Sequence, residues 1–202
     1  MQRSYIGISG VARAGKDSFA RHLKKLLELS TPNKKIKICP LAAPLKQDCE
    51  SFVREKLNLN VFSDNTEEKS IFRELLVWYG KVKRQQTHGQ YWTNLLDLSL
   101  ENSDVDICII PDIRYFQYEK DEVPWLKGKP LNCFIHIQRM LPDGSLVPPA
   151  NMDESINDQI IREYADSSIK VPTFLSEECI LNEIQKIVEE TYCNTIKVKL
   201  DL

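Results

Sequence analysis

The amino-acid sequence predicts an α/β fold, a three-layer sandwich in which helices cover both faces of a mostly parallel sheet. Strand and helix patterns alternate along the chain, which is typical of parallel sheets. A loop with two glycines joins the first predicted strand to the first predicted helix. Two later runs, 107–110 and 133–137, are almost entirely apolar, as buried parallel strands are. With 202 residues the chain has the length of a single domain, spanning residues 1–202.

The predicted elements follow from local patterns of apolar and capping residues. Apolar residues at helical spacing predict a helix from about Lys16. Pro44 suits the first turn of a second helix that runs towards Leu57. Asn65 can cap a third helix, with Glu68 three residues later in a capping-box pattern. In chain order, strands are predicted at 5–8, 36–39, 107–110 and 133–137, and helices from near 16, 44, 65, 91 and 176.

The last third of the chain predicts a loop, a helix and a tail. Three prolines and one glycine lie between Met140 and Met152, which indicates a loop. Apolar spacing predicts a C-terminal helix from Ser176 to Glu190. The tail after Cys193 is expected to add an edge strand to the sheet.

Composition and charge exclude several classes of protein. The formal net charge is -2, whereas nucleic-acid-binding proteins usually carry a basic excess, so no nucleic-acid partner is expected. No apolar run approaches the roughly 20 residues of a membrane-spanning helix, so no membrane partner is expected. Residues 1–10 lack the apolar core of a secretory signal. The six cysteines form no C-x-x-C pair, which fits reduced thiols and a cytoplasmic location.

The sharpest motif is the segment GVARAGKDS at residues 10–18. It follows a predicted strand and opens a predicted helix, which is the context of a phosphate-binding P-loop. Gly10 and Gly15 let the backbone turn its N–H groups towards one anion, and Lys16 can reach the terminal phosphates. Asp17 stands where a Ser or Thr usually holds Mg²⁺. The residues predicted to bind ATP are Gly10, Arg13, Ala14, Gly15, Lys16, Asp17 and Ser18.

A second candidate site follows the predicted strand at 107–110. Asp112 and Arg114 come directly after it, at the edge of the sheet where open α/β folds bind ligands. Asp112 can bind Mg²⁺ through water or orient an acceptor. An Asp in this place can also be a helix cap, and the sequence leaves both roles open.

Four further cations are predicted to lie on separate elements. Lys46 follows Pro44, Arg73 and Arg84 lie on or just beyond the helix after Asn65, and Arg139 ends the last strong strand. Transfer between two phosphorylated molecules gathers negative charge, which cations from several elements can neutralise. Each of these residues can also be an ordinary solvated surface charge.

Taken together, these motifs resemble the deoxynucleoside monophosphate kinases of bacteriophages, which are members of the P-loop kinase superfamily. The resemblance extends over most of residues 4–170. The matching segments are GKDS at 15–18, LAAPLK at 41–46, YW at 91–92, PDIR at 111–114 and DES at 153–155. The resemblance implies a nucleoside monophosphate kinase-like fold with an acceptor-binding helical segment at about 43–100 and a lid at about 139–158.

The resemblance also implies roles for individual residues. The reaction would be ATP-dependent phosphorylation of a (deoxy)nucleoside monophosphate, with ATP and Mg²⁺ as cofactors and small-molecule nucleotides as partners. The implied catalytic residues are Lys16, Asp112 and Arg139. The implied acceptor-binding residues are Lys46, Arg73, Arg84, Trp92, Asp112 and Arg114. The implied metal-binding residues are Asp17, Ser18 and Asp112.

Two alternatives stay open. Animal-type phosphomevalonate kinases share these motifs, but they usually carry a second arginine after Asp-x-Arg, where this chain has Tyr115. That difference favours a nucleotide acceptor. A protein that binds a nucleotide without turnover is the other alternative. The sequence also leaves a homodimer open, and a viral origin would place the protein in the host cytoplasm.

Overall fold

A five-stranded parallel sheet forms the centre of the computed structural model, which describes residues 2–63, 65–173 and 177–202. The strands are β1 (Ser4–Ser9), β2 (Ile36–Ile38), β3 (Ile107–Ile113), β4 (Leu131–Met140) and β5 (Ser167–Pro172). Their order is β2-β3-β1-β4-β5, and all four pairings between these strands are parallel. The predicted α/β class with a mostly parallel sheet is therefore confirmed.

Helices connect the strands. Those in the described residues are α1 (Lys16–Ser30), α2 (Ala42–Leu57), α3 (Thr66–Gln86), α4 (Tyr91–Glu101), α5 (Glu122–Lys127), α6 (Met152–Glu163), α7 (Glu177–Thr191) and α8 (Lys197–Leu200), with a π-helical turn at Tyr192–Ile196. Asn65 caps α3 as predicted, because its Oδ1 accepts hydrogen bonds from the N–H groups of Glu67 and Glu68. Across the described ranges, no helix is both long enough and apolar enough to cross a membrane.

The two faces of the sheet bury separate apolar cores. Ile6 and Ile8 of β1 point into one core, and Tyr5, with the opposite parity, points into the other. The first core is completed by α1, α7, α8 and the π-helical turn, and the second by α4, α5 and α6. This arrangement gives the three layers that the sequence predicts.

A third, smaller core lies between α2 and α3, away from the sheet. It consists of Cys49, Val53, Val61 and Phe72. The segment predicted to bind the acceptor therefore has packing of its own, which holds α2 and α3 together beside the end of the sheet.

The tail after Cys193 is helical, and the predicted edge strand is wrong. A strand would place Ile196, Val198 and Leu200 on the same face. Instead Ile196 and Leu200 are buried, together with Tyr192, while Val198 is 75% exposed. A spacing of four residues is helical, so the tail packs against the first core instead of extending the sheet.

The structure also contains elements that the sequence did not predict. β5 is an edge strand, and its side chains alternate between solvent and protein, so it lacks the continuous apolar run of β3. α5 and α6 were not predicted either. β3 and β4 extend further than the predicted 107–110 and 133–137, so Asp112 lies inside a strand. The predicted start of the last helix at Ser176 lies outside the described residues.

Candidate functional site

The P-loop between β1 and α1 adopts a conformation that its glycines permit. Gly10 has a φ of 139°, Arg13 of 68° and Gly15 of 94°, all in a region that favours glycine. A Cβ at Gly10 would also lie 2.2 Å from the carbonyl oxygen of Ile137. Gly10 is therefore required both by its backbone angle and by the close approach of β4.

Lys16 lies folded against this loop. Its Nζ donates hydrogen bonds to the carbonyl oxygens of Gly10 at 2.7 Å and Val11 at 2.8 Å. The side chain is buried, and this burial, assisted by the charge of Arg114 and opposed by that of Glu154, lowers the pKa of Lys16 to about 8. The ammonium group therefore lies at the loop, and two of its hydrogen bonds are donated to the loop backbone.

A carboxylate from α6 occupies the P-loop. Glu154 Oε1 accepts a hydrogen bond from the backbone N–H of Ala12 at 2.7 Å, and Oε2 accepts one from Ala150 at 2.6 Å. Oε1 also lies 3.8 Å from Nη1 of Arg114. An anion thus sits between a backbone donor of the P-loop and the arginine after β3.

Glu154 was not among the site residues predicted from the sequence. The available signal was local: Asn151 caps α6 by accepting a hydrogen bond from the N–H of Glu154 at 2.8 Å, and Glu154 lies three residues later. That pattern predicts a capping box but not a contact with a loop 142 positions away. Only the fold brings Glu154 to Ala12.

Asp112 acts as a helix cap, one of the two roles left open. Its Oδ1 and Oδ2 accept hydrogen bonds from the N–H groups of Leu41 and Ala42, each at 2.8 Å, at the start of α2. Burial raises the pKa of Asp112, and the two backbone donors oppose that shift. The carboxylate therefore ties the end of β3 to the segment predicted to bind the acceptor.

The segment after β3 is held by two buried acids. Glu122 Oε2 accepts hydrogen bonds from the N–H of Arg114 at 2.6 Å and of Tyr115 at 3.2 Å. Burial raises the pKa of Glu122 to about 8. Asp121 Oδ2 accepts from the N–H of Gln117 at 2.8 Å. These acids fix the backbone that carries Arg114, and the sequence analysis did not single them out.

Arg84 joins this support. Its Nε and Nη2 donate to the carboxylate of Asp121 at 3.1 and 2.6 Å, and its side chain is only 3% exposed. The guanidinium carbon lies 3.4 Å from the centre of the Tyr115 ring. The structure thus places Arg84 behind the segment after β3, and its predicted contact with an acceptor phosphate stays a prediction.

The remaining predicted acceptor residues lie on three different helices, α2, α3 and α4. Arg73 is exposed on α3, one turn before Val77, which lines the pocket in front of Gly10. Lys46, on α2, lies 6.0 Å from the centre of the Phe62 ring. Trp92 is buried in the second core, and its Nε1 donates to the carbonyl oxygen of Gly80 at 3.4 Å.

Arg139 does reach the P-loop. Its Nη1 donates to the carbonyl oxygen of Arg13 at 3.4 Å, and its Nε donates to Oγ1 of Thr173 at 2.9 Å. β4 and β1 are neighbours, so Arg139 and the P-loop leave the sheet at the same edge. This position is compatible with the predicted phosphate contact.

A polar cluster of three side chains, Ser9, His136 and Asp158, lies at the base of the pocket. Ser9 Oγ lies 3.0 Å from Nδ1 of His136, and His136 Nε2 lies 3.8 Å from Oδ1 of Asp158, which lines the pocket. Burial lowers the pKa of His136 to about 4, so the imidazole is neutral near pH 7. We assign this histidine a structural role at the back of the site.

The residues predicted for Mg²⁺ lie around the same loop. Asp17 and Ser18 are in the first turn of α1, and Asp112 lies near the end of β3, the strand that neighbours β1. In the part of the chain that the structure describes, no three His, Cys, Asp or Glu side chains are arranged to hold a metal ion by themselves. Mg²⁺ beside phosphates commonly uses one or two carboxylates, waters and the phosphates themselves. These residues fit an ion that arrives with a nucleotide.

Solved structures resemble this chain at low sequence identity. No curated protein matches the chain. A shikimate kinase from Acinetobacter baumannii in complex with shikimate is 14% identical with a TM-score of 0.46, covering 95% of this chain and 94% of that one. A thymidylate kinase from Ehrlichia chaffeensis is 13% identical with a TM-score of 0.45, covering 95% and 99%. Likenesses this distant carry no argument about substrate.

One family model matches more than half of the chain. It is the model of phosphomevalonate kinase, and it covers residues 8–128 of 202. The match includes the P-loop, Arg114, and Asp112 with the helix cap that it forms. The coarser part of the resemblance, a P-loop kinase, is thereby confirmed. The chain belongs to the phosphomevalonate kinase family.

Proposed function

We propose that this protein transfers a phosphoryl group from ATP to a small acceptor that already carries a phosphate. One observation carries the proposal: the carboxylate of Glu154 lies between the N–H of Ala12, at 2.7 Å, and Nη1 of Arg114, at 3.8 Å. An anion is therefore held jointly by the P-loop and by an arginine on the opposite side of the pocket. A donor phosphate and an acceptor phosphate would meet at this point.

The reaction proceeds by in-line displacement. An oxygen of the acceptor phosphate forms a bond to the terminal phosphorus of ATP while the bond to the β-phosphate oxygen breaks, and ADP leaves. No general base is required, since the attacking phosphate oxygen is already anionic at neutral pH. Catalysis rests on alignment and on cations that neutralise the transferred charge.

Residues of this chain supply those cations from separate elements. Lys16 and the backbone N–H groups of the P-loop hold the donor phosphates. Arg114 holds the acceptor phosphate, supported by Glu122 and Asp121. Arg139, beside Arg13, closes the donor side. Asp17, Ser18 or Asp112, together with the nucleotide, would hold Mg²⁺, which would neutralise further phosphate charge.

For the acceptor we propose a (deoxy)nucleoside monophosphate, as in the phage kinases that the sequence resembles. Tyr115 supports this choice, because it stands where phosphomevalonate kinases usually carry a second arginine. Tyr115 and Val77 line the pocket beside Arg114, so an aromatic and an aliphatic side chain face an acceptor there. A planar base suits that wall better than a second anionic group does.

Phosphomevalonate is the second candidate acceptor. The family match over residues 8–128 favours it directly. The P-loop and Arg114 would serve both acceptors in the same way, so the two candidates differ only in the part of the pocket beyond the acceptor phosphate.

Release of ADP from ATP and Mg²⁺, coupled to a spectrophotometric readout, tests the proposal. The acceptor panel contains the four deoxynucleoside monophosphates, the ribonucleotides and phosphomevalonate, with a reaction lacking acceptor as control. Stimulation by one or more nucleotides is the expected result. Stimulation by phosphomevalonate alone would replace the acceptor and keep the mechanism. Binding of ATP with no transfer to any acceptor would contradict the proposal.

A further inference from the structure

The P-loop is occupied by the chain itself. The side chain of Glu154 is 14% exposed, and its Oε1 accepts a hydrogen bond from the backbone N–H of Ala12 at 2.7 Å. Lys16 donates to the carbonyl oxygens of Gly10 and Val11. Two donors that would hold a phosphate, the N–H of Ala12 and Nζ of Lys16, are thus engaged within the protein.

A phosphate and Glu154 compete for the same donors. The N–H of Ala12 can serve one anion well, and a second negative charge at that point is repelled. Any nucleotide whose phosphates enter the P-loop therefore has to displace the carboxylate. The free energy of the Ala12–Glu154 hydrogen bond is subtracted from the observed affinity for the nucleotide.

The same carboxylate faces the acceptor side. Oε1 of Glu154 lies 3.8 Å from Nη1 of Arg114, so displacement of Glu154 leaves that arginine free for an acceptor phosphate. The helix that carries Glu154 also reaches the segment after β3, because Oδ1 of Asn157 accepts a hydrogen bond from the N–H of Phe116 at 3.5 Å. One helix, α6, therefore contacts both halves of the site.

We propose that Glu154 is a positioning residue that couples the donor and acceptor halves of the site by occupying the P-loop until a nucleotide displaces it. The inference rests on the proposed function, because it assumes that phosphates bind this loop. Entry of the donor phosphates releases Arg114, so nucleotide binding favours binding of the acceptor. By thermodynamic reciprocity, an anion that takes Arg114 away from Glu154 also favours nucleotide binding.

Isothermal titration calorimetry with the non-hydrolysable ATP analogue adenylyl imidodiphosphate and Mg²⁺ tests whether a nucleotide has to displace Glu154, on which the coupling depends. We expect Glu154→Ala to bind the analogue about tenfold more tightly than the wild type, the value of a charge-assisted hydrogen bond that no longer competes. Glu154→Gln, which keeps the shape and loses the charge, is expected to bind more tightly by a smaller factor. It also serves if the alanine variant fails to fold.

Two control variants separate competition from general charge. Asp153→Asn removes a neighbouring carboxylate that lines the same pocket and pairs with Lys81 at 3.5 Å but does not bond to the P-loop. Glu163→Gln removes a charge from the exposed end of α6. We expect both to change the affinity by less than the Glu154 variants do. Equal tightening by Asp153→Asn and Glu154→Ala would assign the effect to charge alone and overturn the proposal.

The outcomes also separate this inference from the proposed function. If the wild type and the Glu154 variants bind the analogue with equal affinity, or if the variants bind it more weakly, the coupling is refuted while the kinase proposal stands. If none of the proteins binds the analogue, both fail, because the P-loop does not hold a nucleotide.

Discussion

Lys16 and Glu154 place opposite charges on the two sides of the P-loop. Lys16 donates to carbonyl oxygens of the loop, and Glu154 accepts from one of its N–H groups. Both contacts are of the kind that phosphates would replace. At the scale of single residues, the site therefore holds its own substitute for the ligand that it is proposed to bind.

Replacement of Lys16 by Ala is expected to lower turnover about 100-fold or more, because a cation that follows the transferred charge is lost. The fold should persist, since the side chain bonds only to the loop. Steady-state ADP release and circular dichroism measure the two effects. Lys24→Ala is the control, because Lys24 lies on the same helix and pairs with Glu28 at the surface. Near-normal turnover of the Lys16 variant would contradict the P-loop assignment.

The buried acid Glu122 is expected to make the free energy of unfolding depend on pH. Its pKa is raised from 4.5 to about 8 by burial, so between these values the folded protein keeps a proton that the unfolded chain has lost. The unfolded state therefore binds fewer protons, and the free energy of unfolding falls as the pH rises from about 4.5 to 8. Glu122→Gln mimics the protonated acid and should lose this component.

Urea denaturation at pH 5 and pH 8 measures the effect of Glu122. We expect the stability of the Gln variant, relative to the wild type, to rise between the two pH values. Glu119→Gln, at an exposed position three residues earlier, is the matched control and should follow the wild type. If the free energy of unfolding of the Gln variant changes with pH as that of the wild type does, Glu122 is ionised in the folded protein.

At the scale of elements, the site is assembled where strands end. β1 leads into the P-loop, β3 leads to Arg114, and β4 carries Arg139 near its end, beside the P-loop. Parallel strands bring these ends to one edge of the sheet. The helices add supports, because Asp112 caps α2 and Glu154 comes from α6.

Replacing each of the two glycines of the P-loop by Ala is expected to lower the free energy of unfolding by unequal amounts. In Gly10→Ala the added Cβ would lie 2.2 Å from the backbone oxygen of Ile137, and the alanine would have to adopt a φ of 139°, so both a clash and backbone strain result. Gly15→Ala has only the strain of its φ of 94°, since no atom lies within 4 Å of the added Cβ. We expect Gly15→Ala to cost about 1 to 3 kcal/mol and Gly10→Ala clearly more, as measured by urea denaturation. Equal costs would show that β4 can move away.

At the scale of the whole molecule, the C-terminal tail closes one of the two cores. Tyr192, Ile196 and Leu200 pack with β1, α1 and β4 on the same face of the sheet. The tail thus covers apolar surface that the rest of the chain leaves on that side. Its contribution is to the stability of the sheet that positions the site, since it provides no residue of the pocket in front of Gly10.

Replacing two tail residues distinguishes this helix from a strand. Ile196→Ala is expected to lower the free energy of unfolding by about 2 to 5 kcal/mol, because Ile196 is fully buried. Val198→Ala should change it by less than about 0.5 kcal/mol, because Val198 is 75% exposed. In an edge strand the two residues would share a face. Similar losses from both substitutions would therefore favour the strand.

The sequence alone determined the fold class, the P-loop and the cap at Asn65. These features depend on short patterns: apolar runs for β3 and β4, two glycines before Lys16, and an Asn followed by Glu68. Each pattern acts through bonds and packing within a few residues, so it can be recognised without the fold. The same locality explains the error in the tail, where alternation between Ile196 and Leu200 suits either a strand or one face of a helix.

Only the tertiary structure decided which charged residues meet. Glu154 reaches Ala12 across 142 positions of sequence, and Arg84 reaches Asp121 across 37. Sequence reasoning predicted that Arg84 contacts the acceptor, and that contact stays a prediction; its pairing with the buried Asp121 is seen only in the fold. Sequence reasoning placed Glu154 in the predicted lid, within the segment DES at 153–155, but did not predict its contact with the P-loop, because a carboxylate in a phosphate loop has no local signature. Long-range pairing of charges depends on how the elements pack, and that information is spread over the whole chain.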